Sequence, residues 1–237
     1  MVVFLTIHAR YKDVQWGIFR DGVLIEAAAD ESKKVSKNFL IMLENLLQKH
    51  KLIFSDLSFI VAHRGPAPLT TLRVSLATVN GLAFATGIPL IGVNGLEALL
   101  DEHSHPEKIT VVLLNAFCNE VYYGIDNPHA AYSLHNSSEE DSSTIKNSFC
   151  ESRRYGCAPA SSFIESLAQQ YTEPLSLVGN GVELYSDLIH THLAGNANPL
   201  SNDIASLEAI AKKGLEKWNS KEITGEVTPL YLKGATP

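Results

Sequence analysis

Residues 62–92 (AHRGPAPLTTLRVSLATVNGLAFATGIPLIG) restrict the architecture more than any other stretch, because their prolines and glycines force a change of element three times. Phe59, Ile60, Val61 and Ala62 form a short apolar run, the mark of a buried strand. Gly65-Pro66-Ala67-Pro68 cannot prolong that strand, since proline lacks the ladder N–H and fixes φ. Thr70 or Thr71 then stands where an N-cap is wanted, and apolar residues recur at helical spacing through Phe84. Gly87 supplies a residue tolerant of the left-handed conformation, and Pro89 keeps the helix from resuming. The stretch reads as strand, kinked loop, helix and short return strand.

The helix has one unusual face. Ala77, Gly81 and Ala85 lie four apart and form a ridge poor in side chains, along which another backbone can come close. A glycine inside a helix costs roughly 0.5–1 kcal/mol relative to alanine, so something should offset it. The ridge either packs on the chain's own sheet or is a helix–helix interface with another protein. The loop also has two readings. Arg64 and Arg73 flank a helix N-terminus, where a cation in the first turn is disfavoured and an anion such as phosphate would reverse the sign. Arg64, Gly65, Thr70 and Arg73 are therefore a candidate anion-binding loop, although Pro66 and Pro68 remove two donors from any cradle. The plainer expectation is a surface ion pair for each arginine.

At 237 residues the chain can bury a large core as one domain or two small ones. Its net charge of −7 argues against broad electrostatic binding to nucleic acid, which needs a basic footprint. Cys118, Cys150 and Cys157 are odd in number, lack metal-type spacing and fit a reducing compartment. Residues 2–7 are too short for the core of an export signal and charge follows them, and no apolar run approaches the roughly 20 residues of a membrane span. A cytoplasmic protein is expected.

In chain order, residues 2–7 read as a buried strand, and 14–19 with 23–27 as two more around Arg20-Asp21-Gly22, where Asp-Gly is a strong hairpin signal. A helix over 35–49 follows, with Ser36 as a possible N-cap and Phe39, Leu40, Leu43, Leu46 and Leu47 along one face. After the 62–92 stretch, a connecting helix starts at Asn94 or Gly95. Strands are expected at 109–115, 120–125 and 130–135, then a polar loop over 136–148. A helix over 159–171, a strand at 175–178 and a helix after Gly179-Asn180-Gly181 complete a second β-β-β-α-β-α series. Asn196-Ala197-Asn198-Pro199 breaks the chain before a helix over 203–218. Two copies of one order predict an α/β fold of two similar lobes, 1–104 and 105–237, with a cleft between them.

Catalytic signatures are missing. The sequence has no HExxH, HxxxH, CxxC or Gly-Lys-Ser/Thr P-loop. His103/His105 and His190/His192 are spaced i, i+2 and point apart on a helix. Asp13, Asp21 and Asp30 sit at expected turns. Asn115, Cys118 and Asn119 lie where a strand turns but offer no acid or base, and a lone cysteine is more often an inert small hydrophobe.

The 62–92 stretch resembles the TsaB (YeaZ) family of bacterial tRNA threonylcarbamoyladenosine biosynthesis. The family's loop reads Gly-Arg-Gly-Pro-Gly-Ser-Phe-Thr-Gly-(Val/Leu)-Arg; here it is His63-Arg64-Gly65-Pro66-Ala67-Pro68-Leu69-Thr70-Thr71-Leu72-Arg73. Gly81-Leu82-Ala83, Ile88-Pro89-Leu90-Ile91-Gly92-Val93 and Leu96-Glu97 continue the likeness. Shorter matches lie at Leu5–Ile7, Glu120-Val121-Tyr122, Val178-Gly179-Asn180-Gly181 and Pro229-Leu230-Tyr231-Leu232-Lys233. The departures are equally definite. The family's Asp-Thr-Ser/Thr after the first strand is His8-Ala9-Arg10 here, its His-Ser/Thr at the first helix is Val35-Ser36, and its Asp-Ala-Arg turn is Asn115-Ala116-Phe117.

The resemblance implies a two-lobed actin-like ATPase (ribonuclease H-like) fold. It implies an accessory, non-catalytic subunit that pairs with the larger TsaD paralogue, the protein that transfers the threonylcarbamoyl group, and works with the ATPase TsaE. Its first two long helices would carry that association and self-association to a homodimer, which names Phe39, Leu43, Leu47, Val74, Ala77, Thr78, Gly81 and Ala85 as interface residues. Contact with tRNA would be indirect. No intrinsic cofactor or metal is expected, and the lost acidic residues argue against ATP or ADP binding by this chain. The alternative is an ATP-dependent kinase or hydrolase of the same superfamily using the interlobe cleft. A free-standing protease, an old label for related proteins, finds no nucleophile, base or metal site in the sequence.

Overall fold

The computed structural model describes residues 1–130, 152–201 and 203–233, with residues 32–37 as backbone only. The chain divides into two compact units, Met1–Ala98 with Ala205–Leu230, and Leu99–Ile204 with the carboxyl-terminal residues from Tyr231.

The first unit is built on a five-stranded sheet. Strand β1 (Val3–Ala9) pairs antiparallel with β2 (Asp13–Arg20), which pairs with β3 (Val23–Glu31). On its other side β1 pairs parallel with β4 (Phe59–His63), which pairs parallel with β5 (Leu90–Val93). The order is β3-β2-β1-β4-β5. Asp21 and Gly22 both take positive φ, 50° and 85°, as the Asp-Gly signal predicts for a tight hairpin. Every residue of β1 is buried, because layers cover both faces of the central strand. Val3, Leu5, Ile7 and Ala9 share one core with Phe39, Leu43, Leu46 and Leu47 of α1 (Ser32–Lys49) and Leu72, Leu76 and Val79 of α2 (Leu69–Thr86). Phe4 points to the opposite face, stacking on Phe19 and Phe59, and Phe59 stacks in turn on Trp218.

The second unit repeats the plan. Strand β6 (Ile109–Asn115) lies antiparallel to β7 (Glu120–Asp126), which pairs with β8 (Arg153–Pro159). On the other side β6 runs parallel to β9 (Leu175–Val178), and β9 to β10 (Ala197–Ser201). The order β8-β7-β6-β9-β10 matches the first sheet strand for strand. Helix α4 (Ala160–Gln170) places Phe163, Ile164 and Leu167 on the core of this sheet, joined by Ile189 and Leu193 at the end of the short helices α5 (Gly181–Leu184) and α6 (Ser186–His192).

Several expectations are corrected. The expected strand at 130–135 and the polar loop at 136–148 lie, Ala130 excepted, outside the described residues; the strand that pairs with β7 among the described residues is Arg153–Pro159. Asn196-Ala197-Asn198-Pro199 is not merely a break, since β10 runs through it. Pro199 is tolerated there because β10 is an edge strand and one side of it needs no ladder donor. Helix α1 begins at Ser32, so Ser36 lies inside it rather than capping it. Thr70 and Thr71 are likewise within the first turn of α2, whose cap is Pro68. Gly87 ends α2 as expected, at φ 73° with its N–H on the Ala83 carbonyl at 2.8 Å. The expected lobe boundary at 104 also differs from the observed division. Helix α3 (Gly95–His103) begins in the first unit, and α7 (Leu207–Asn219) returns to pack on β1, β2, β4 and β5. The reason is apolar cover: the far face of the first sheet, with Phe4 and Phe59, is closed by Trp218 of α7.

Candidate association surface and the vacated strand ends

Helix α2 buries Thr71, Leu72, Ser75, Leu76, Val79 and Ala83. The opposite stripe, Thr70, Arg73, Ala77, Gly81, Phe84 and Ala85, recurs every three or four residues and faces outward. Phe84 is 93% exposed. A Cβ built on Gly81 would meet nothing within 4 Å among the described residues, so none of them needs a glycine there. The reading in which the ridge packs on the chain's own sheet is thereby overturned. On neighbouring α1, Leu40 and Ile41 are more than half exposed, at 51% and 59%. Exposed apolar side chains on adjacent helices, around a ridge without bulk, make a surface of the kind that marks association sites.

The residues named for that surface divide. Ala77, Gly81 and Ala85 face outward as expected. Val74 and Thr78 are half-buried, Val74 against the core and the Thr78 hydroxyl donating to the Val74 carbonyl at 2.9 Å. Phe39, Leu43 and Leu47 are corrected. They are at most 2% exposed and hold α1 onto the chain's own sheet, so they cannot meet a partner. Leu40 lies on the outer side of α1 and not on the buried face with them. Leu40, Ile41 and Phe84 are the outward groups that sequence reasoning missed. The run Phe39-Leu40-Ile41-Met42, apolar on every side of the helix, was the available signal.

The loop before α2 is closed rather than cradle-like. The backbone of Arg64 donates to Val93 at 2.8 Å and accepts from Leu230 at 2.8 Å, and its Nε donates to the Thr228 carbonyl at 2.8 Å. Arg64 thus binds a carbonyl in the strap formed by residues 224–230, in place of the expected surface ion pair. Asn80 fastens the same strap to the flank of α2, its amide donating to the Val227 carbonyl at 3.0 Å and accepting from the Val227 N–H at 2.9 Å. Gly65 is buried at φ 106°, while Thr70 and Arg73 are exposed on the first turn of α2. With Arg64 committed to Thr228 and Gly65 buried, the four residues do not form an open cradle.

The resemblance implies a nucleotide-binding superfamily whose acidic residues at the ends of the first strands are replaced in this chain. Magnesium-bound phosphates are held through carboxylates, waters and backbone donors. At the end of β1 stand His8 and Ala9, both buried, followed by Arg10 paired with Asp13 at 2.6 Å. Burial above all, then the neighbouring His63 and Arg10, holds the His8 imidazole well below its usual range and therefore uncharged. At the end of β6, Asn115 accepts the Phe117 N–H on its side chain at 2.8 Å and donates its own N–H to Asn180 at 2.9 Å. Phe117, Cys118 and Asn119 follow with three positive φ values, and Lys233 caps the turn through the Ala116 carbonyl and Glu120. Taken separately, neither strand end carries an acidic side chain at the positions the resemblance names, His8-Ala9-Arg10 and Asn115-Ala116-Phe117. Among the described residues, no group of three or more histidines, cysteines, aspartates and glutamates could hold a metal ion, and His190 is used up on the Ser186 carbonyl. No helix of the described residues is long and apolar enough to cross a membrane.

Two sheets of identical order, each a three-stranded meander extended by two parallel strands, define a duplicated α/β protein of the two-lobed actin-like class. The family model for TsaD, tRNA N6-adenosine threonylcarbamoyltransferase, matches residues 22–225. The chain is 24% identical over 207 residues to the tRNA threonylcarbamoyladenosine biosynthesis protein TsaB of Haemophilus influenzae, covering 84% of this chain and 79% of that one. A shorter match, 34% over 98 residues, is to the tRNA N6-adenosine threonylcarbamoyltransferase of Clostridioides difficile, of which it covers 28%. YeaZ from Pseudomonas aeruginosa superposes with a TM-score of 0.68 over 98% of this chain and all of that one, at 18% identity. The chain belongs to the TsaD family, and its relatives make it a divergent member of the TsaB (YeaZ) branch.

Proposed function

We propose that this chain serves tRNA threonylcarbamoyladenosine synthesis as a non-catalytic subunit, docking a TsaD-like transferase on the outer face of α1 and α2. The observation that carries this reading is the outward stripe of α2, where Gly81 is open and Phe84 stands almost fully in solvent. An exposed phenyl ring forgoes roughly 1.5–3 kcal/mol of burial that a partner would recover. The glycine, which costs the isolated helix stability, allows the partner's backbone to approach. A TsaE-like ATPase completes the set, a second copy of the chain competes for the same face, and tRNA is reached through the partners, in keeping with the net charge of −7.

Co-purification with the TsaD-like paralogue of the same cell, followed by mass determination in solution, tests the reading. A one-to-one complex that Gly81→Leu weakens is expected. A chain that ignores the paralogue, or a Gly81→Leu variant that folds and binds unchanged, would sink it. The kinase or hydrolase alternative requires ATP affinity. Titration calorimetry with millimolar ATP and magnesium is expected to give no binding heat, since the donors at the ends of β1 and β6 do not suit it.

A further inference from the structure

The end of β1 holds two groups that the association surface does not use. His8 and His63 are 1% and 4% exposed and stand side by side at the ends of paired parallel strands. Their rings meet edge to face with centroids 4.7 Å apart. Nδ1 of His63 lies 3.0 Å from the Ala9 carbonyl, so that nitrogen carries the hydrogen. Nδ1 of His8 is buried with no hydrogen-bond partner among the described residues. Gly95 closes over His63: a Cβ there would fall 2.2 Å from its Nε2, and the Gly95 N–H is held by the Gly65 carbonyl at 2.8 Å. At 1% and 4% exposure the two rings have little solvent to hydrate a charge. The corner also joins β4 to the loop that leads into α2.

We propose that His8 and His63 form a proton-sensitive latch, closed while both rings are neutral and forced open when either is protonated. Opening the corner frees the Gly65–Gly95 contact and the loop before α2. If the association reading above is right, docking then fails at acid pH; the latch itself does not depend on that reading.

The electrostatics agree with the geometry. Burial, then His63 and Arg10, lowers His8, and burial lowers His63 to about 4 against the opposing pull of the Ala9 and Gly65 carbonyls. The elements around the corner carry other charges. Arg10 is paired with Asp13 of β2, Glu97 of α3 with Lys213 of α7, and Arg64 of the loop is bonded to Thr228. Helix α7 adds Glu208, Lys212, Glu216 and Lys217, and α2 adds Arg73. Of these, only Arg10 acts on the pair, and it too opposes a proton. Both rings are depressed below the unfolded value near 6.5, so the stability they allow is complete above about pH 6.5 and is lost as pH falls toward 4.

The test is ring NMR of the histidines and denaturant unfolding of the full chain from pH 7.5 to 4.5. The wild type is compared with His8→Leu, His63→Gln and the double variant. Each group that takes its proton only in the unfolded state lowers the folding equilibrium about sevenfold between pH 6 and 5, so the wild type should lose roughly 50-fold beyond the double variant. Each single variant should lose about sevenfold. The His8 and His63 rings should titrate only well below 6.5, and the Gly65 and Gly95 amide signals should shift together with them. A native ring that titrates at or above 6.5, or a double variant with the wild-type slope, overturns the latch. Should the variants fail to fold, the wild-type ring titration decides alone. Binding to the TsaD-like paralogue at pH 7.5 and 4.5 is scored separately: absence of binding at both values counts against the association reading and leaves the unfolding result standing.

Discussion

The two units carry the same scaffold and opposite outer surfaces. Helix α4 of the second unit, which follows the third strand as α1 does in the first, turns Ser161, Ser162, Glu165 and Gln169 to solvent. Helices α5 and α6, placed like α2, show Glu183, Asp187 and His190 with one exposed apolar residue, Leu184. The first unit shows Leu40, Ile41, Ala77, Gly81, Phe84 and Ala85 at the corresponding places. Both sheets are closed by apolar inner faces, Phe39, Leu43 and Leu47 in one and Phe163, Ile164 and Leu167 in the other. The fold therefore dictates the inner faces only. What differs outside is free to encode association, and only the first unit's helices turn an apolar stripe to solvent among the described residues.

The sharpest way to break the comparison is to exchange the roles of the two faces. Phe39→Ala removes a ring from the core beside Trp16, 5.6 Å away between centroids, and should destabilise the chain by about 3–5 kcal/mol in denaturant unfolding. Phe84→Ala on the outer face should change stability by less than about 0.5 kcal/mol. If Phe84→Ala proved as damaging as Phe39→Ala, the ring would be part of the fold and not of a surface.

Association should reverse that ranking. Phe84→Glu puts a charge on the most exposed ring of the outward stripe and should weaken binding to the TsaD-like paralogue by at least about 2 kcal/mol, roughly 30-fold in Kd. Leu184→Glu, the matching change on the second unit, should leave Kd within experimental error. Equal losses for both changes would show that binding follows net charge rather than the α1–α2 face.

Much of this was legible in the sequence, and the failures share a cause. The doubled strand order came from apolar runs and turn residues, which report local geometry; the first sheet agrees with it, and the second does except that its third strand is Arg153–Pro159, which was not read from the sequence. Strand β10 was hidden because Pro199 signals a break wherever the edge position that excuses it cannot be seen. The return of α7 to the first unit was hidden because apolar spacing says which side of a helix is buried, not against which sheet. The same limit misplaced Phe39, Leu43 and Leu47: a resemblance names a helix as an interface, but only its packing tells the inner stripe from the outer. The His8–His63 pair joins residues far apart in the chain, and nothing in either neighbourhood announces the other.

The smallest effect separates the two faces most finely. Gly81→Ala adds one methyl at a site with nothing within 4 Å, in the middle of a helix. In the isolated chain the methyl meets no neighbour and reduces backbone freedom in the unfolded state, so stability should rise by about 0.5–1 kcal/mol. In a complex that brings another backbone against the ridge, the same methyl occupies the closest approach, and overpacking should weaken binding several-fold. The two measurements must therefore move in opposite directions, unfolding free energy up and affinity down. A variant that gains stability and binds as well as the wild type would mean that no backbone lies against Gly81. The association surface would then have to be moved toward Leu40 and Ile41 on α1.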